Sequence, residues 1–172
     1  MNRTERRIIV AEARKLVRRV FPGVELRQAC LYHAWAVAVV ANKRDHYFRL
    51  QAGTAYWPCV ATELDDGVSP NRFGYEYQPG GKLYVAQAEL ADTLPEMHVW
   101  AVHPAGGEII DLTTGMWPAQ ARALQGIDWR ATRPPDYLWC SIFDLPKGVV
   151  YEPSQEASDL AGKLLVRSLR GV

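Results

Sequence analysis

The chain has 172 residues, 48% of them hydrophobic and 23% charged, with a formal net charge of +1. That length suits one domain spanning 1–172 with a real core; no apolar run reaches the roughly 18–20 residues that cross a bilayer, and so small a charge draws the protein to neither nucleic acid nor membrane. Cys30, Cys59 and Cys140 are an odd number without close spacing, which argues against a disulfide framework and, with a charged opening where a signal peptide would be apolar, for a cytoplasmic protein.

In chain order, apolar residues at helical spacing predict an amphipathic helix from about Thr4 to Val20, ended by Pro22-Gly23. Its arginines read as a solvated face. The run from Gln28 to Asn42 holds no Asp, Glu, Lys or Arg, so its helix is expected to be buried on nearly every side. Two strands are expected next, His46–Gly53 and Ala55–Val60, then an exposed strand over Arg72–Tyr77. Leu83–Leu90 reads equally as strand or short helix. Two β-prone runs, Met97–His103 and Glu108–Thr113, flank a Pro/Gly turn and predict a hairpin. A helix starting near Trp117-Pro118, a buried strand over Leu138–Phe143 and a closing helix from Ser154 to Leu169, capped by Ser154, complete an α+β domain. Acidic residues gather in 60–96 and basic ones in 1–22, so the two segments could bind each other or separate partners.

Three of these elements carry groups that together make a nucleophile site. Cys30 falls in the first turn of the uncharged helix, where unpaired N–H groups and the positive end of the helix dipole favour a thiolate. In the hairpin, a two-residue Ala105-Gly106 loop pairs Pro104 with Gly107, Trp100 with Asp111 and His98 with Thr113. His98 and Asp111 then lie on one face as diagonal neighbours, roughly 7–8 Å apart at the backbone and within side-chain reach. A three-residue loop would put Asp111 on the other face. In the first arrangement Asp111 accepts the imidazole N–H and leaves the second ring nitrogen for Cys30. His33, three residues beyond Cys30, is the rival base, and His103 falls on the strand face opposite His98. Trp100 shares the face of His98 and would shield the pair from water. An oxyanion would take the backbone N–H of Cys30 and a side-chain donor, for which Gln28 and Gln51 are the candidates. Each of these residues also has a plainer reading: a lone helical cysteine is usually a small buried hydrophobe, and a lone histidine a satisfied core residue. Cys59 and Cys140 read as structural. No Cys-x-x-Cys, His-x-x-x-His or His-Glu-x-x-His spacing occurs, so no metal or cofactor is expected.

A Cys opening a buried helix, a His-Val-Trp strand 68 residues later (98 minus 30) and an Ile-Ile-Asp-Leu-Thr strand with Asp 13 beyond the His (111 minus 98) resemble the transglutaminase-like branch of the papain-like cysteine protease superfamily. The resemblance covers about residues 24–118, leaving an N-terminal helix and a C-terminal strand-helix extension. It implies an antiparallel sheet packed against a buried N-terminal helix that carries the Cys. It also implies an amide hydrolase or acyltransferase, of peptidase, deamidase or transglutaminase type, forming an acyl-enzyme on Cys30 with His98 as base and Asp111 orienting it. The substrate would be a peptide, protein or small amide, with hydrolysis slightly favoured over transfer. The rival readings are a non-catalytic binding protein on the same fold, and a partner-binding or nucleic-acid-binding module built on the basic N-terminal helix, although nucleic acid is not the expected partner.

Overall fold

The computed structural model describes residues 1–24, 29–59, 72–78, 96–105 and 107–170. Gln28 and the ambiguous Leu83–Leu90 run lie outside them, as does most of the acidic middle.

Helix α1 covers Arg3–Val20. It starts where the Asn2 side chain accepts the backbone N–H of Glu5 at 2.9 Å, satisfying one of the donors that a helix start leaves open. Ile9, Val10, Ala13 and Val17 form its buried stripe. Two of its arginines, expected on a solvated face, are half-buried beside that stripe. Arg6 pairs with Glu108 at 2.6 Å and lies over the Trp139 ring, and Arg14 pairs with Asp136 at 2.7 Å. Ion pairs this exposed contribute little stability each, but they tie α1 to the far side of the fold.

Helix α2, Ala29–Asn42, buries ten of its 14 residues. An element apolar all round must be covered all round, and α2 is packed by α1, by the closing helix near the C-terminus and by the sheet. Asn42 ends it by bonding both backbone groups of Phe48, N–H to Oδ1 at 2.8 Å and Nδ2 to the carbonyl at 3.1 Å.

Six strands form one antiparallel sheet: β1 Arg49–Pro58, β2 Arg72–Tyr75, β3 His98–His103, β4 Glu108–Asp111, β5 Leu138–Ser141 and β6 Val150–Ser154. The two strands expected over 46–60 are one, β1, whose pairing with β6 runs unbroken from Ala52 through Thr54 to Tyr56. A strand has two edges, and β1 serves three partners. Ala52 and Gly53 pair with both β3 and β6, whereas Ala55 and Tyr56 pair with both β2 and β6. It follows that β2 and β3 lie one after the other along the same edge, with a break opposite Thr54. Phe73 is buried, so β2 is not the exposed strand its sequence suggested.

The β3–β4 hairpin has the predicted register, with His103 opposite Glu108 and Ala101 opposite Ile110. Its ladder stops at His103 and Glu108, sooner than a two-residue loop would allow, and beyond it the Gly107 N–H donates to the His103 carbonyl at 3.1 Å. Adding two residues to a loop preserves parity, so His98 and Asp111 keep a common face. β5 differs from its expectation of a buried strand: it is the sheet edge, only Leu138 is buried, and the chain leaves it through a short turn where Phe143 is 90% exposed.

Two further helices are α3, Trp117–Gln125, and α4, Gln155–Arg170; among the described residues the α-helices number four. Pro118 opens α3, where its missing N–H costs nothing. Ser154 caps α4 by accepting the Ala157 N–H at 3.2 Å. The sheet separates two cores. One lies under α1, α2 and α4, and the other is an aromatic cluster under α3 that includes Trp57, Phe73, Trp100, Trp117 and Tyr151. No helix among the described residues is long and apolar enough to cross a membrane.

Gly53 is where β1 takes two neighbours at close quarters. A methyl group there would run into the Glu152 carbonyl oxygen and the Ser154 nitrogen of β6. Gly53→Ala is therefore expected to destabilise the protein by about 1–3 kcal/mol, the usual cost of overpacking, read as a lowered urea midpoint with unchanged slope.

Candidate active site

His98 is the first residue of β3 and Asp111 the last of β4. The hairpin register makes them diagonal neighbours, and their side chains meet at 2.7 Å between His98 Nε2 and Asp111 Oδ2. Both are essentially inaccessible, at 1% and 2% exposure. Burying a carboxylate is costly unless its lone pairs are satisfied, and Asp111 is well supplied. Its Oδ1 accepts the Thr113 N–H at 2.8 Å and the Thr113 hydroxyl at 2.6 Å. Its Oδ2 accepts the Tyr151 hydroxyl at 2.7 Å beside His98.

Aromatic rings enclose the imidazole. Tyr75 stacks on it at 5.8 Å, Trp100 lies nearly parallel at 6.3 Å, and Trp117 presents its edge at 4.9 Å. Trp100 thus has the shielding position expected from strand parity, while Tyr75, Trp117 and Tyr151 were not foreseen. Burial alone would lower the His98 pKa; the Asp111 charge and hydrogen bond outweigh it, the Cys30 thiol adds to them, and together they raise it to about 10. Burial would conversely raise the Asp111 carboxyl, but the His98 charge and hydrogen bond, with Thr113 and Tyr151, hold it below its ordinary value.

Cys30 is the second residue of α2 and is buried. Nε2 of His98 being committed to Asp111, Nδ1 is the nitrogen left for it. Nδ1 makes no hydrogen bond of full geometry among the described residues, and the thiol is near enough to act on the imidazole through hydrogen bonding and charge. Nucleophile–base contacts are commonly loose before substrate binds. His33, the rival, is differently engaged: its Nδ1 donates to the Ala29 carbonyl at 2.7 Å, and burial lowers its pKa. Gln51 pairs with Trp100 across β1 and β3, and is partly buried on the face of the sheet away from α2. Among the described residues no hydrogen bond joins it to Cys30 or His98. Cys59 is fully buried and its thiol is pushed up by burial; Cys140 is partly exposed and is pushed up by burial and by Asp144 and Glu108.

No family model and no curated protein matches the sequence. A solved structure described as "The crystal structure of genomics APC5867" is similar, with 13% identity and a TM-score of 0.46, covering 99% of this chain and 79% of that one. The functional reading therefore rests on the geometry of the site itself.

The paired shifts fix the sign of a pH effect. His98 is raised, so its contribution is complete below the ordinary imidazole value of 6.5 and is lost as pH climbs through about 10. Asp111 is lowered, so its contribution is present above 3.8 and is lost as pH falls through its depressed value. Asp111→Ala, which leaves the buried imidazole unpaired, is expected to lose about 3–5 kcal/mol of stability. In urea titrations that deficit should be largest between pH 3.8 and 6.5 and should shrink on either side.

Proposed function

We propose that this protein is a cysteine-dependent amide hydrolase or acyltransferase, transglutaminase-like in its site and fold, working through an acyl-enzyme on Cys30. The observation that carries the reading is the single imidazole of His98 joined on one nitrogen to a buried, fully satisfied Asp111 and open on the other toward the thiol at a helix start. That order of groups is what an activated nucleophile needs. A buried cysteine and histidine kept only for packing would have no use for a carboxylate with four donors.

In the proposed reaction the Cys30 sulfur, having given its proton to His98, attacks the carbonyl carbon of an amide. A C–S bond forms, and the carbonyl oxygen takes the negative charge. The backbone N–H of Cys30, left without a helical partner by its place in the first turn, is suited to hold that oxyanion. His98 passes its proton to the nitrogen, the C–N bond breaks, and the amine leaves. Water or a second amine then gives a proton to His98 as it attacks the thioester, and the sulfur departs. Asp111 keeps the imidazole in the productive tautomer throughout. The substrate is a peptide, protein or small amide, with water slightly favoured as acceptor because it needs no second pocket. The basic-helix alternative is weakened by the engagement of Arg6 and Arg14 in ion pairs.

Exposure and activation point to different cysteines, which makes alkylation decisive. Cys140 is the more accessible thiol, yet Cys30 is expected to react first with limiting iodoacetamide near neutral pH, as mapped by mass spectrometry. Labelling of Cys140 ahead of Cys30 would instead favour a non-catalytic binding protein on this fold.

With a substrate in hand, Cys30→Ala should abolish turnover, and Asp111→Asn should cut kcat by orders of magnitude, on the scale of about 10⁴ known for the wrong histidine tautomer. His33→Ala should do far less than His98→Ala in folded protein.

A further inference from the structure

Tyr151 enters the site from a distant part of the chain. It lies on β6, which pairs with β1 on the edge opposite β3, and its hydroxyl reaches through the aromatic core to Asp111 Oδ2, 2.7 Å away. His98 Nε2 binds that same oxygen, also at 2.7 Å. Two donors therefore share one carboxylate oxygen, while Thr113 supplies both donors to the other. We propose that Tyr151 is a positioning residue that sets, through Asp111 Oδ2, how tightly the carboxylate holds the proton and the orientation of the His98 imidazole. The inference rests on the reading of Cys30, His98 and Asp111 as a catalytic group.

The physical argument is one of competition. A hydrogen bond donated to a carboxylate stabilises its charged form and makes it a weaker base. The hydroxyl on Oδ2 thus draws charge from the oxygen that must attract the imidazolium. With Tyr151 present, Asp111 orients His98 without holding its proton so firmly that transfer to a leaving amine becomes difficult. An aliphatic residue in its place would leave the carboxylate one donor short and the imidazolium more tightly bound. The phenol remains a donor over the whole working range, because burial and then the Asp111 charge raise its pKa well above the ordinary value. Its ring also packs edge-on against Trp100 at 5.2 Å and on His98 at 6.1 Å, so its bond direction is set by packing.

The other groups facing this cluster leave the assignment to Tyr151. Cys30 from α2 and Tyr75 from β2 face His98. His33 feels the Asp111 charge from α2, Trp57 from β1 and Cys140 from β5 act on Tyr151, and Trp117 from α3 is uncharged. Among the described residues, only Tyr151 and Thr113 join His98 in bonding Asp111.

The test is an NMR titration of the His98 imidazole nitrogens in wild type, Tyr151→Phe, Asp111→Asn and the double variant. Tyr151→Phe keeps the ring and is expected to raise the His98 midpoint by about half a unit to one unit, a roughly three- to tenfold tighter proton. In the Asp111→Asn background the same change should have no further effect, since the hydroxyl acts through the carboxylate. Thr113→Val, which removes a donor from the other oxygen, should shift the midpoint in the same direction by less, and serves if Tyr151→Phe does not fold. An unmoved midpoint in the folded single variant, or an equal shift with and without the Asp111 carboxylate, would overturn the proposal. Because the readout is His98 itself, failure here is separable from failure of the nucleophile reading, which appears in the alkylation of Cys30.

Discussion

One buried negative charge, the Asp111 carboxylate, constrains the rest of this structure. In a low-dielectric interior an ionised carboxylate is tolerated only when its oxygens are saturated with donors and a cation is near. Each compensating group comes from a different stretch of chain: His98 from β3, Thr113 from the turn after β4, Tyr151 from β6. The charge therefore requires the hairpin, the turn beyond it and the last strand to be in place together. It also explains an otherwise odd arrangement in which aromatic residues, not polar ones, surround the ion pair. Tyr75, Trp100 and Trp117 exclude water, and the exclusion strengthens the attraction between His98 and Asp111 that offsets their desolvation.

A geometric difficulty is solved by the sheet. Helix α2 packs on the face that carries Val99 and Ala101, whereas His98 and Asp111 point to the aromatic face with Trp100. Cys30 and His98 could not meet across the middle of a continuous sheet. They meet at a strand end. β2 and β3 share one edge of β1 and leave a break opposite Thr54, and His98 stands at that break as the first residue of β3. Cys30 stands at the corresponding end of α2. A cysteine in the first turn of the helix and a histidine in the first position of the strand let groups from two faces of one sheet come together.

How much of this was legible in the sequence depended on the range of the interaction. The uncharged run after Gln28 identified α2 because complete burial leaves a compositional mark. The hairpin parity was readable because every even change in loop length leaves His98 and Asp111 on one face, so the four-residue turn did no harm to an expectation built on two. Thr113 was partly readable: an Asp accepting the N–H two residues on is a common local turn, and Asp111-Leu112-Thr113 has that form. Tyr151 was not, since it lies 40 residues from Asp111 and its strand, short and interrupted by Pro153, carries no pattern that names its partner. Nor was the edge position of β5. An apolar Leu-Trp-Cys run reads as buried, yet Trp139 finds its cover under the Arg6 guanidinium, a long-range contact that composition cannot express.

The balance of forces at His98 bears on what such a site can do. A buried ion pair is poor evidence for stability, since well-packed apolar residues of the same volume often serve as well. The apolar alternative was open to this core, which already holds Trp57, Phe73, Trp100 and Trp117. A histidine whose burial is outweighed by the Asp111 charge and hydrogen bond, so that its pKa rises to about 10, favours the charged imidazolium, which in the proposed reaction is a proton ready for a departing group. The proposed reaction also asks His98 to accept a proton from an incoming nucleophile, which needs that affinity to be limited. The donors crowded onto Asp111 limit it, because each weakens the carboxylate as a base while leaving its charge in place. In the proposed reaction the three donors other than His98, two from Thr113 and one from Tyr151, thereby help make the buried charge tolerable and keep the imidazole able to work in both directions.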